Sequence, residues 1–297
     1  MTSRPAPAPP PPAPPEPPSR PTLTPPGWYP DPWWAGSLRY WDGSQWTTQA
    51  RWEYAPIPPP PREPLHALRA PAFWVALVMM VAFVAGGRVI NGQLVRFVDT
   101  LVAFQVLQWG FYVVVYGGVA FTVHFVVRRY GTGSLRHDLG FRFQWSDIGW
   151  GPILFFAGRA AQLAVTLPLI AVPVLRHSSE RYSNLMRDQP TSVLITLVVV
   201  GVVVAPLVEE LLFRGVLLRG LLTRFSGPVA AVIQGVLFGC YHFAPGLGYY
   251  NVVLITANSA FGIIFGFVVL RRRTLGTGIV AHAITNASAF VIIFATR

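Results

Sequence analysis

The sequence predicts an all-α protein: a polytopic transmembrane helical bundle of about 7–8 helices, preceded by a disordered Pro-rich N-terminus and a tiny Trp-rich β-module. Three observations carry this. Only 12% of the 297 residues are charged and 53% are hydrophobic, whereas soluble domains carry roughly a quarter charged residues. Long apolar runs fill the chain from residue 71 onward. The first 26 residues hold 13 of the 29 prolines, so that stretch has little with which to build a core.

Taken in order, residues 1–26 read as an extended polyproline-like tail. Residues 27–52 follow as a small module: Gly27-Trp-Tyr-Pro-Asp-Pro-Trp-Trp, then Arg39-Tyr-Trp-Asp-Gly, then Trp46-Thr-Thr. Aromatic residues broken by Pro-Asp-Pro and Asp42-Gly43 turn signals predict short strands whose only core is stacked tryptophan. A second Pro-rich stretch at 53–70 links to a transmembrane domain at 71–297. Its apolar runs lie at about 71–87, 101–127, 149–175, 191–213, 228–243, 251–270 and 275–295. Most approach the roughly 20 residues that span a hydrocarbon core. An eighth span follows if Pro206 breaks the chain into a separate helix at 207–224.

The charge pattern supports the same reading. Every one of the 23 basic residues is Arg, and they cluster at the ends of apolar runs, as membrane anchors do. Placing the N-terminus in the cytoplasm puts twelve arginines on the inner side and six on the outer. That distribution argues against a nucleic-acid partner and for the lipid bilayer. Cys240 is the single cysteine, so no disulfide framework or cysteine metal site is expected, and no cleavable signal peptide is visible.

Ten of the twelve acidic residues lie in the tail or in predicted loops; Glu209 and Glu210 do not. An acid at the centre of a membrane helix costs about 3 kcal/mol even on a lenient scale. Arg214, one turn on, offers Glu210 an ion pair and leaves Glu209 facing elsewhere. His242, His282 and Asn286 also sit in apolar runs, the last two on one helix face. Each alone is more simply an interhelical hydrogen bond. Together they form a chemical set. A desolvated glutamate can take a proton from water, an imidazole can orient that water, and a second imidazole with a carboxamide can donate to an oxyanion. The set suits water-mediated amide cleavage without a covalent intermediate.

These residues fall into three motifs: Glu209-Glu210-Leu-Leu-Phe-Arg214 after Ala205-Pro206, Phe238-x-x-x-His242, and His282-x-x-x-Asn286. Over about 190–290 the chain resembles the CAAX-protease and bacteriocin-processing (CPBP, or Abi) intramembrane peptidases. The resemblance implies catalytic roles for Glu209 and His242 on the water and for His282 and Asn286 at the oxyanion, with Glu210, Arg214 and Phe238 in support. It implies no cofactor, although Zn²⁺ held by Glu209, His242 and His282 is the alternative. It also implies a membrane-anchored peptide or protein substrate. The module at 27–52 resembles a short Trp-rich module of unknown function found in actinobacterial membrane proteins. That points to a bacterial cell membrane and an unassigned protein partner.

The competing functions are a non-catalytic membrane scaffold or immunity protein, and a proton-coupled transporter. The internal repeat usual in transporters is not evident. A plain alternating trace sets Glu209 and His242 at opposite depths, a conflict that a break at Pro206 would relieve. Cys240 is expected as a small buried hydrophobe, and His124 and Arg159 as snorkelling or interhelical groups. Gly131-Thr-Gly-Ser is expected as a turn, and Arg271-Arg272-Arg273 as a topology anchor.

Overall fold

The computed structural model describes residues 25–33, 37–52, 68–69 and 71–297. The proline-rich tail, apart from its last two residues, and most of the 53–70 linker lie outside the described residues. The chain divides into two compact units, Met1–Pro64 and Leu65–Arg297.

The first unit is a three-stranded antiparallel sheet in the order β1 (Gly27–Pro30), β2 (Ser37–Trp41), β3 (Trp46–Trp52). Asp42 makes the β2–β3 turn, its Oδ1 accepting from the Ser44 and Gln45 amides, while Gly43 takes the positive φ of 98°. Aromatic pairs stand in for a core. Trp28 lies across from Tyr40 at 5.5 Å, and Trp46 meets Trp41 at 5.3 Å and Tyr29 at 6.4 Å.

The second unit is helical. In chain order it contains α1 (Ala72–Leu94, extended by a 3-10 turn to Phe97), α2 (Leu101–Tyr130), α3 (Leu135–Leu139), α4 (Ser146–Ile170) and α5 (Pro173–Arg187). Then come α6 (Thr191–Leu221), α7 (Gly227–Tyr241), α8 (Tyr250–Arg272) and α9 (Gly276–Ala295). Six of them, α1, α2, α4, α6, α8 and α9, are long and apolar enough to cross a membrane; α7 has only 15 residues. Their outward faces carry large apolar side chains such as Val78, Val106, Phe156 and Val291, as lipid requires. Glycines allow close crossings. A Cβ at Gly118 would lie 2.3 Å from the Phe83 ring, joining α1 to α2, and one at Gly235 would lie 2.5 Å from Ile263 N, joining α7 to α8.

The expected break at Pro206 does not occur: α6 is continuous from Thr191 to Leu221. A π-helical turn at Val200–Val204 precedes the proline, and the Ala205 amide donates to Val200, five residues back. The wider turn accommodates the missing N–H and the ring without ending the helix. A second π segment, Leu211–Leu217, follows the two glutamates.

Two acids read as loop residues are in fact buried. Asp147 holds the α4, α8 and α9 ends together, accepting from Arg272 at 3.2 Å and from the Thr277 hydroxyl at 2.5 Å. Arg272 is therefore a structural tie as well as a charge at a helix end. Asp138 binds the Gly131-Thr-Gly-Ser turn through the Thr132 hydroxyl and the Thr132 and Gly133 amides. Arg159 fastens α4 to α9, donating to the Thr285 carbonyl at 2.8 Å and to Ser288 Oγ at 2.7 Å. Cys240 is exposed, contrary to the expectation of burial. In a bilayer, apolar character fits a lipid-facing position as well as an interior one.

Candidate active site

The depth conflict disappears once the helix lengths are known. α6 runs 12 residues beyond Glu209, about 18 Å at 1.5 Å per residue, before the chain turns. The short α7 then returns from Gly227 to His242, about 22 Å. The two side chains therefore sit at similar depth.

Glu209 and Glu210 are adjacent on α6, so their side chains diverge by about 100° around the axis. His282 on α9 lies between them. Its Nδ1 is 3.2 Å from Glu210 Oε1 and its Nε2 is 3.9 Å from Glu209 Oε2. A carboxylate accepts only, so Nδ1 carries the proton and the Nε2 edge is turned toward Glu209. Phe261 at 5.1 Å, Phe238 at 5.8 Å and Phe265 at 6.3 Å box the imidazole. Gly278, one turn before His282, makes room for Glu210: a Cβ there would lie 2.7 Å from Oε2.

Glu210 also pairs with Arg214 at 2.9 Å, and both side chains are fully buried. The guanidinium faces aromatic rings, with Cζ 4.3 Å from the Phe238 centroid and 5.3 Å from that of Phe265. Phe238 thus touches Arg214, His282 and, at 4.7 Å, His242. His242 caps the end of α7, where its Nδ1 donates to the Phe238 carbonyl at 2.8 Å and leaves Nε2 uncommitted by that bond.

The structure brings Glu209, Glu210, Arg214, Phe238 and His282 into one cluster, and His242 packs against Phe238. The resemblance paired Glu209 with His242, but the imidazole nearest to Glu209 is His282. Asn286 is one turn beyond His282 on α9, and its amide donates to the Gly201 carbonyl on α6 at 2.7 Å.

Two participants were missed by the sequence reading. Tyr116 of α2 donates its hydroxyl to Glu209 Oε1 at 3.3 Å. Arg88 of α1 donates to the carbonyls of Phe243 at 2.6 Å and Tyr241 at 3.1 Å, on either side of His242. A tyrosine in an apolar helix and an arginine assigned to a loop carry no signal that would have singled them out. Among the described residues no three His, Cys, Asp or Glu side chains converge as metal ligands would.

Residues 191–288 match the Rce1-like family, described as type II CAAX prenyl endopeptidase Rce1-like. Residues 26–64 match DUF2510, a family of proteins of unknown function. No curated protein and no solved structure matches the chain. The Rce1-like match covers roughly a third of the chain and contains Glu209, Glu210, Arg214, Phe238, His242, His282 and Asn286. The chain is thus a multi-pass membrane protein whose residues 191–288 match the Rce1-like family of type II CAAX prenyl endopeptidases, which supports the resemblance carried by its three motifs.

Proposed function

We propose that the protein is an intramembrane endopeptidase that hydrolyses a peptide bond of a membrane-anchored substrate with water activated at Glu209. The supporting observation is the placement of His282 between two buried carboxylates. Glu210, itself anchored by Arg214, fixes the tautomer and tilt of the ring through Nδ1. Glu209 Oε2 and His282 Nε2, 3.9 Å apart, are too distant for a direct hydrogen bond, but both can reach one water oxygen.

In this reading Glu209 takes one proton as the water oxygen bonds to the scissile carbonyl carbon. The carbonyl oxygen becomes an oxyanion. The proton then passes to the amide nitrogen as the C–N bond breaks, leaving a carboxylic acid and an amine. Neutral His242, with its proton on Nδ1, offers Nε2 as an acceptor that orients the attacking water. Asn286 uses one amide hydrogen on Gly201 and can turn the other toward the oxyanion. No cofactor takes part. The bilayer and a membrane-anchored peptide are the partners, and the module matching DUF2510 is a candidate recruitment element for a second protein.

The test compares the N-termini of membrane proteins in cells carrying wild-type or Glu209→Gln protein. Neo-N-termini present only with the wild type are expected, and the same termini should vanish with His282→Ala. Identical termini in all three strains would favour the non-catalytic scaffold.

A further inference from the structure

We infer that the α1–α2 hairpin is a working part of the site, with Tyr116 positioning the Glu209 carboxylate and Arg88 positioning the His242 turn. The inference rests on the peptidase reading and adds two residues from outside the matched segment 191–288.

The two oxygens of Glu209 have separate neighbours: Oε1 takes the Tyr116 hydroxyl, and Oε2 is turned to His282. The terminal torsion of a glutamate is broad and nearly two-fold, so packing alone would leave the carboxylate free to rotate. A donor fixed on one oxygen stops that rotation and aims the other at the water position. Tyr116 can be such a donor because it sits in the middle of α2, deep in a spanning helix. A phenol at that depth has an apolar body that lipid-facing neighbours accept and a single hydroxyl that needs a partner.

Arg88 acts at the other end. The last carbonyls of a helix have no partner within it, and His242 is the residue at which α7 stops. The Arg88 fork takes the carbonyls immediately before and after that residue. Both carbonyls gain a charge-assisted donor, and the backbone that carries the imidazole is clamped from both sides. The cation also stands at the negative end of the α7 dipole.

A brace must be stiff to position anything, and this one is. Gly118 admits the Phe83 ring and Gly87 admits Val115, where a Cβ would lie 2.9 Å from the valine methyl. At the opposite end of α1, Gly220 of α6 receives Phe73, with 2.8 Å to the phenylalanine Cβ. α1 is therefore packed tightly on α2 around Phe83 and Gly87 and on α6 at Phe73, which ties the hairpin to the glutamate-bearing helix.

The experiment uses the full chain in vesicles of phosphatidylethanolamine and phosphatidylglycerol. A fluorescence-quenched farnesylated CAAX peptide serves as the cleavage probe, and infrared spectra are recorded alongside. Tyr116→Phe and Arg88→Met are each expected to lower kcat by about 10-fold or more while KM stays within about twofold. Arg88→Lys, which can still reach one carbonyl, should recover part of the loss. The carboxyl bands of Glu209, identified by subtracting the Glu209→Gln spectrum, should shift when the Tyr116 hydroxyl is removed. That readout needs no turnover, and a merely structural tyrosine would leave it unmoved. Unchanged bands in Tyr116→Phe, or full activity in both hairpin variants beside a dead Glu209→Gln, overturn the hairpin role and leave the peptidase reading standing. Full cleavage by Glu209→Gln overturns both.

Discussion

The Asn286 amide reaches across from α9 to the Gly201 carbonyl at 2.7 Å, and Gly201 is one residue into the π turn that precedes Pro206. Within α6 that carbonyl has lost both possible donors. The Ala205 amide is diverted to Val200, and Pro206 has no N–H. Asn286 supplies the missing hydrogen, so its side chain stabilises the turn that carries the helix through a proline. Asn286→Ala should lower stability by about 1–3 kcal/mol, the cost of leaving one such carbonyl unsatisfied. Pro206→Ala can restore a backbone donor, so the double variant should lose less than the sum of the two singles. Thermal unfolding in detergent measures this, and strict additivity would contradict the coupling.

Glu210 and Arg214 are both fully buried and form an ion pair at 2.9 Å, with aromatic rings over the guanidinium. Removing only the acid leaves a cation among phenylalanines. Glu210→Ala should cost about 3–5 kcal/mol of stability, whereas the surface change Arg96→Ala should be close to neutral. Arg214→Lys should also destabilise, because an ammonium cannot lay a flat face against Phe238. The check is the unfolding midpoint of each variant; an unshifted Glu210→Ala protein would rule out the pair as a structural element.

Cleavage should survive metal chelators. Both imidazoles have Nδ1 committed, to Glu210 and to the Phe238 carbonyl, and both rings pack on Phe238. The proposed reaction asks only for the Glu209 carboxylate and an ordered water, with no metal among its parts. Activity in the presence of a membrane-permeant chelator should equal the untreated rate within experimental error. Loss on chelation with recovery on adding Zn²⁺ would reverse this prediction.

The site was legible in the sequence to the extent that its groups were out of place there. Glu209, Glu210, His242 and His282 announce themselves because polar groups in apolar runs need a reason to be there. Tyr116 and Arg88 were not legible, since one resembles any aromatic within an apolar run and the other any helix-end arginine. Pro206 was misread because local rules predict a break, and only the three-dimensional structure reveals the π turn and the Asn286 donor that make one unnecessary. Cys240 was misread because in a bilayer an apolar run does not distinguish the lipid face from the interior. Asp138 and Asp147 were assigned to loops, whereas Asp138 lies in the short α3 and Asp147 in the first turn of α4. Their burial could not be foreseen: Arg272 and Thr277, which bind Asp147, lie 125 and 130 residues away.

Asp138 makes stability depend on acidity. Burial works against its charge, but bonds from the Thr132 hydroxyl, from His137 and from the Thr132 and Gly133 amides outweigh that and hold the carboxyl below the ordinary aspartate value. A carboxyl whose folded pKa is depressed stabilises the fold above the pKa of the unfolded chain, about 4, and that contribution fades as pH falls through the folded value. The loop it organises is tied to the rest of the bundle: Arg219 Nη2 donates to the Leu139 carbonyl at 2.7 Å, and the Leu275 amide donates to that of Gly140 at 3.1 Å. Asp138→Asn would present an NH₂ group to donors that need an acceptor, and should cost about 1–3 kcal/mol at pH 7. The wild-type unfolding midpoint should fall between about pH 5 and pH 3, and the variant should start lower and fall less over the same interval. Parallel curves for the two proteins would place the acid sensitivity elsewhere.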